Sequence, residues 1–226
     1  MTTFYLILMV GVILAIVGVA SAVSAHQTRK RQEAFAKIAD ELGLNYSPTD
    51  TLGLLSQFAP FQLFNQGRAR IASNVITAEA EGIHIAIFDY QYTTGSGKHQ
   101  HTHRQSIVAV HSVQLRLPSI SMRPEHLFDA LANLFGSKDI DFPENTQFSR
   151  AFKLISDQDE LTRKLFRAPV LDFFVARPGT YLEGANDRFI YFRRGRRIEP
   201  QNLKEFLSEG FELHKLFAES GGRLEA

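Results

Sequence analysis

The chain has 226 residues, and its 25 Lys and Arg stand against 24 Asp and Glu for a net charge of +1. That length, with 19 Phe, supplies enough apolar volume for an independent core, whereas so balanced a charge provides no global field for nucleic acid, and no nucleic-acid partner is expected. Cys is absent, which excludes disulfides, thiolate metal sites and Cys nucleophiles.

Positions 4 to 25 carry no charged side chain. As a helix they rise roughly 33 Å against a hydrocarbon core of about 30 Å, so the sequence predicts a transmembrane helix over 4–25, with residues 1–3 outside. A cleaved secretory signal is the alternative, because Val23-Ser24-Ala25 has the small-residue spacing of a cleavage site ahead of His26. No basic leader precedes the apolar run, however, and Arg29-Lys30-Arg31 follow it, a cluster retained in the cytoplasm. The expectation is therefore an uncleaved single-pass anchor in a bacterial inner membrane, N-terminus out and domain cytoplasmic. Gly11, Ala15, Gly18 and Ala22 recur at intervals of four and three, a small-residue seam that suits close helix packing and a homodimer through the span.

Beyond the span, Phe35, Ile38, Ala39 and Leu42 keep helical spacing up to Gly43, which predicts a juxtamembrane amphipathic helix over 26–44 and a soluble domain over 45–226. A short helical patch around 52–58 leads to an apolar cap of Phe61, Leu63 and Phe64. Strand signals run from about 69 to 122, with alternation clearest at Ile83, Ile85 and Ile87 and over 107–113. With a tight turn at Ser96-Gly97 and a third strand over 113–121, this region reads as an antiparallel meander. Pro124 opens a helix carrying Leu127, Phe128, Leu131, Leu134 and Phe135. Residues 148–155 read as a strand, Asp157 and Glu160 as a capping box, and Pro169 as a restart before Phe173 and Phe174. A second hairpin spans 181–193, and Pro200 begins a last helix with Leu203, Phe206, Leu207, Phe211 and Phe217 inward. Two sets of strands separated by helices predict an α+β fold with about four soluble helices.

At Phe88-Asp89-Tyr90, Tyr92-Thr93-Thr94-Gly95-Ser96-Gly97-Lys98, Thr102-His103, Leu117-Pro118, Arg123-Pro124-Glu125, Asp139-Ile140-Asp141-Phe142 and Phe148-Ser149, the chain resembles a family of uncharacterised bacterial single-span membrane proteins. The resemblance covers most of the soluble part and implies a bacterial membrane protein. It implies no activity and assigns no catalytic residue, and His99 and His101 fall outside the shared pattern.

The histidines at 99, 101 and 103 are the sharpest chemical constellation, since alternate strand residues share a face and imidazole is a common zinc ligand. His99 and His103 stand roughly 13 Å apart along a strand, so two adjacent members could ligate but not all three, and His101 with His103 is taken as the candidate metal pair. A two-residue turn would set Tyr90 opposite His103, Tyr92 opposite His101, and Asp89 in an ion pair with Arg104. Arg193, Arg194, Arg196 and Arg197 form the densest charge run, and beside a bilayer such residues attract anionic lipid. Gly95-Ser96-Gly97-Lys98 lacks the glycine spacing and following helix of a phosphate loop. No complete catalytic arrangement is present and no cofactor is expected. The leading expectation is a membrane-anchored, non-catalytic interaction or scaffold domain with an unidentified protein partner. The alternative is a metal-dependent or hydrolytic enzyme using Tyr90, His101 and His103.

Overall fold

In a computed structural model describing residues 2–125 and 139–221, the chain is α+β: an N-terminal apolar helix leads into an eight-stranded, wholly antiparallel sheet with helices laid on it. Helix α1 (Thr2–Glu41) is unbroken, because no proline interrupts it. It is long and apolar enough to cross a membrane, and the helical residues beyond its apolar part continue directly into the domain. Its end has a physical cause. Gly43 adopts φ 66°, and the N–H groups of Gly43 and Leu44 close back onto the carbonyls of Asp40 and Ala39, a paired left-handed cap for which glycine carries no Cβ penalty.

The sheet order is β1-β2-β3-β4-β8-β7-β5-β6, from β1 (Asn45–Thr49), β2 (Arg68–Ala80), β3 (Ile83–Thr94), β4 (His101–Ser112), β5 (Leu117–Pro124), β6 (Phe152–Ser156), β7 (Thr180–Asn186) and β8 (Arg188–Arg193). The expected meander holds through β4 and then breaks. β5 does not pair with β4; the β7–β8 hairpin inserts between them, placing β5 beside β7 and β6. β8 offers β4 a register of matched large side chains, Ile107 with Phe192 and Val108 with Tyr191, which a polar turn followed by β5 does not.

Strand alternation sorts the core into two clusters. On one face Ile85, Ile87, Val108, Val110, Phe189 and Tyr191 are buried with Phe35 and Ala39 of α1 and with residues of α4 (Asp159–Leu165), α5 (Ala168–Val175) and α6 (Leu203–Gly221). On the other, Phe88, Tyr90, Tyr92, Ile107 and Phe192 are covered by Leu54, Phe58, Phe61, Leu63 and Phe64, from α2 (Leu54–Gln57) and the segment after it. Each fully buried large side chain contributes about 1.5–3 kcal/mol. α6 lies especially close to the sheet at Gly210, where a Cβ would come within 2.6 Å of Val108 and 2.8 Å of Ile85.

Two local expectations are corrected. Residues 148–155 are not one strand: α3 (Thr146–Ala151) precedes β6, because the Asn145 side chain accepts the Phe148 N–H at 3.0 Å and caps a short helix. Asp157 caps nothing; it accepts the Ser119 N–H at 2.9 Å, tying β5 to the end of β6, and α4 starts from Gln158 instead. Pro124, expected to open a helix, instead ends β5, paired with Phe152; the rest of that expected helix, 126–135, lies outside the described residues.

Candidate functional site

The most tightly organised polar cluster joins α1 to the sheet. Arg31 Nε donates to Asp89 Oδ2 at 2.7 Å, and its Nη2 donates to Asp89 Oδ1 at 2.9 Å and to the Ile198 carbonyl at 2.9 Å. This is the planar two-pronged match that guanidinium and carboxylate make. Asn74 Nδ2 and Ser106 Oγ supply two more donors to the same carboxylate, at 2.9 and 2.7 Å. Asn74 reaches it because β2 is bulged there, with Asn74 at φ 51°, a conformation Asn tolerates better than most residues. Tyr46 OH then donates to Asn74 Oδ1 at 3.1 Å. Desolvation of the phenol pushes the Tyr46 ionisation up, and the nearby negative charge of Asp89 adds to it. The expected partner, Arg104, is not the one found: Arg104 sits opposite Gln91.

That correction comes from the β3–β4 connection, which is not a two-residue turn. Residues 95–100 form it, with a 3₁₀ turn at Gly97–His99, and Gly95 at φ 71° passes so close to the His99 carbonyl that a Cβ there would collide with it. The register moves by two: Tyr92 faces His103, Thr94 faces His101 and Tyr90 faces Gln105. An aromatic ladder results, in which Tyr90 stacks on Tyr92, Tyr92 on His103 at 4.7 Å, and His101 meets His103 edge-on at 4.5 Å. His103 Nε2 bonds Thr94 Oγ1 at 2.9 Å, and burial, with help from His101 and Arg194, pushes its imidazole below the ordinary value. Tyr90 is buried, its hydroxyl directed at the Leu63 carbonyl and its ionisation pushed well up by desolvation. The three residues of the enzyme alternative therefore do not converge on a common point: Tyr92 lies between Tyr90 and His103. Among the described residues, no three His, Asp or Glu side chains gather as a metal site.

The arginine run divides. Arg193 turns inward and donates to Glu209 at 3.2 Å, beside Arg177 at 3.3 Å and the Tyr191 hydroxyl at 3.0 Å. Arg194 is half-buried, and Arg196 and Arg197 are exposed. Gly11, Ala15, Gly18 and Ala22 are all exposed on α1, and a Cβ on Gly11 or Gly18 would meet no atom within 4 Å.

Comparison with known proteins adds one architectural finding. No family model matches the chain, and no curated protein does. Among solved structures, the crystal structure of the mycobacterial trehalose monomycolate transport factor A, TtfA, is similar at a TM-score of 0.56. At 13% identity the match covers 85% of this chain and 93% of that one. A likeness at that identity is one of fold.

One group that sequence reasoning missed is Glu183. It is buried on β7 and accepts the backbone N–H groups of Gln62 and Leu63 at 2.5 and 3.2 Å, pinning the covering segment to the sheet. It borders a recess of about 300 Å³ lined also by Phe61, Ser119, Ile120 and Ile155. Burial pushes its carboxyl from 4.5 up to about 7, against the pull of the two N–H donors. The sequence signal was an acid directly after Tyr181 and Leu182 in a strand. Between about pH 4.5 and about pH 7 the folded state holds a proton that the unfolded chain has released, so stability falls as pH rises through that window. His214, buried without a bond to its Nε2 and pushed down by desolvation, gives the opposite slope below about pH 6.5. The comparison of wild type with Glu183→Gln isolates the glutamate: denaturation midpoints should lose the component that falls with pH. Parallel pH profiles for the two proteins would show that Glu183 does not titrate in this range.

Proposed function

We propose that the chain is a membrane-anchored, non-catalytic interaction domain on the cytoplasmic face of a bacterial inner membrane, an accessory factor rather than an enzyme. The observation that carries this reading is the Arg31–Asp89 clamp. It makes the apolar helix and the sheet mechanically continuous, so that the domain is presented at a fixed height and orientation instead of trailing on a linker. A catalytic domain needs a tether only to be near the membrane, whereas a docking domain needs its face aimed. The shared fold with a protein named as a transport factor supports an accessory role. Membership of the bacterial single-span family belongs to the same proposal, as does the transmembrane placement of residues 4–25, with Arg29 and Lys30 on the inner side.

Reporter fusions after Ala226 test the placement. A reporter active only in the cytoplasm should give full signal and a periplasmic one none. A periplasmic signal, or a soluble product beginning near His26, would overturn the reading.

A further inference from the structure

We propose that the end of the sheet nearest the span is a second membrane contact, a basic rim resting on the anionic phospholipid headgroups of the bilayer that α1 crosses. The proposal rests on the anchored reading above. Its starting point is the direction of two elements. α1 runs from Arg31, bound to Asp89, to Ala39, buried in one cluster with Ile76, Ile85 and Ile87. It then turns at Gly43 into β1, whose Asn45 pairs with Thr77. The helix therefore travels along the sheet toward the Ile83 end of β3, and β3 travels the other way, back toward the span.

From Asp89 to Thr94, β3 advances roughly 17 Å, whereas α1 recedes only about 9 Å from Arg31 to Ala25. Even with a substantial tilt between them, the connection at residues 95–100 reaches the level at which the apolar run ends. There the headgroup layer is roughly 5–7 Å thick on each side. The chemistry of the connection suits that layer. Residues 95–101 are all exposed and include Lys98, His99 and His101 but no carboxylate and no large apolar side chain.

Two further elements bring cations to the same end. Arg68, opposite Thr93, donates to the Gly95 carbonyl and to Gln100 Oε1, and Arg70 donates to the carbonyls of Asn65, Gln66 and Gly67. These acceptors are neutral, so both positive charges persist. The turn after β8 is held beside the start of β4, with Gly195 N–H on Gln105 Oε1 and the Arg196 carbonyl accepting Ser106 N–H, and it exposes Arg196 and Arg197. Among the described residues, no carboxylate lies within 4.0 Å of Arg68, Arg70, Lys98, Arg104, Arg196 or Arg197. In a chain of net charge +1, so many unpaired cations at one end amount to a segregated field. Attraction to an anionic leaflet grows with each Lys or Arg held near it and fades within a Debye length.

The absence of Cys makes the test direct. The full chain, with a single fluorophore on Ser96→Cys or on Val113→Cys, is placed in nanodiscs containing phosphatidylglycerol and a lipid whose headgroup carries a quencher. Val113 is an exposed residue just beyond Ser112, which pairs with Ile83 at the far end of β3. Quenching is expected at 96 and not at 113. It should fall at least about two-fold in phosphatidylcholine discs, and equally in the triple variant K98Q/R196Q/R197Q. Those three side chains make no hydrogen bond or ion pair among the described residues, so their loss leaves the fold in place. Equal quenching at 96 and 113, or quenching at 96 indifferent both to lipid charge and to the triple variant, would overturn the rim. A chain that enters the discs with 96 unquenched overturns the rim alone; a chain that stays outside them overturns the anchor as well.

Discussion

Replacing Asp89 with alanine should destabilise the domain by about 3–5 kcal/mol, the range for removing one partner of a buried ion pair. Both side chains are nearly inaccessible, at 13% for Arg31 and 7% for Asp89, so the guanidinium left behind keeps only the Ile198 carbonyl and the ring of Phe35, 4.6 Å away. Asn74 and Ser106 lose their acceptor at the same time. The double variant Arg31→Met/Asp89→Ala removes the stranded charge and should cost distinctly less than the two single changes added together. Chemical denaturation of the full chain in detergent, followed by circular dichroism, gives all three values. Additive costs, or a loss below about 1 kcal/mol for Asp89→Ala, would show that the pair is not coupled and would remove the main support for a rigid link between helix and sheet.

What could be read from the sequence was what local period and local chemistry decide. The alternation of Ile83, Ile85 and Ile87, the helical spacing of Phe35 and Ala39, the glycine at 43 and the prolines at 169 and 200 each act within a few residues, and the α+β architecture follows from them. Failures arose where distant segments compete. Nothing in β5 itself says that β8 is the better neighbour for β4. Two glycines flanking Ser96 permit either a two-residue turn or the longer connection observed, and the difference of two positions moved every cross-strand pair, including the partner assigned to Asp89. The true partner, Arg31, lies 58 residues away in a basic cluster from which the sequence predicts only the orientation of the span. Likewise Phe148, read as a strand residue, is apolar in either state; the cap at Asn145 decides for helix, and the packing of its ring against Phe142, Phe152 and Phe174 rewards that choice.

Arg193→Gln should cost about 2–4 kcal/mol, whereas Arg196→Gln and Arg197→Gln should each change stability by less than about 0.5 kcal/mol. Although the four arginines form one run in the sequence, their environments differ. Arg193 shares the Glu209 carboxylate with Arg177 and with the Tyr191 hydroxyl, whose ionisation is pushed far up by burial and by the adjacent carboxylate. Glu209 lies beside Gly210, where α6 comes closest to Val108 and Ile85, and its side chain is only 10% exposed, so losing a partner leaves a largely desolvated carboxylate. Arg177 can compensate only in part, since it also serves Glu212 at 2.8 Å and lies over the Phe173 ring. Glu209→Ala is the harsher change, leaving two arginines to repel each other beside a buried phenol, and should cost about 3–5 kcal/mol. Urea denaturation of the three arginine variants and Glu209→Ala orders these effects. If Arg196→Gln proved as damaging as Arg193→Gln, the division of the run into an inward structural residue and an outward charged surface would be wrong.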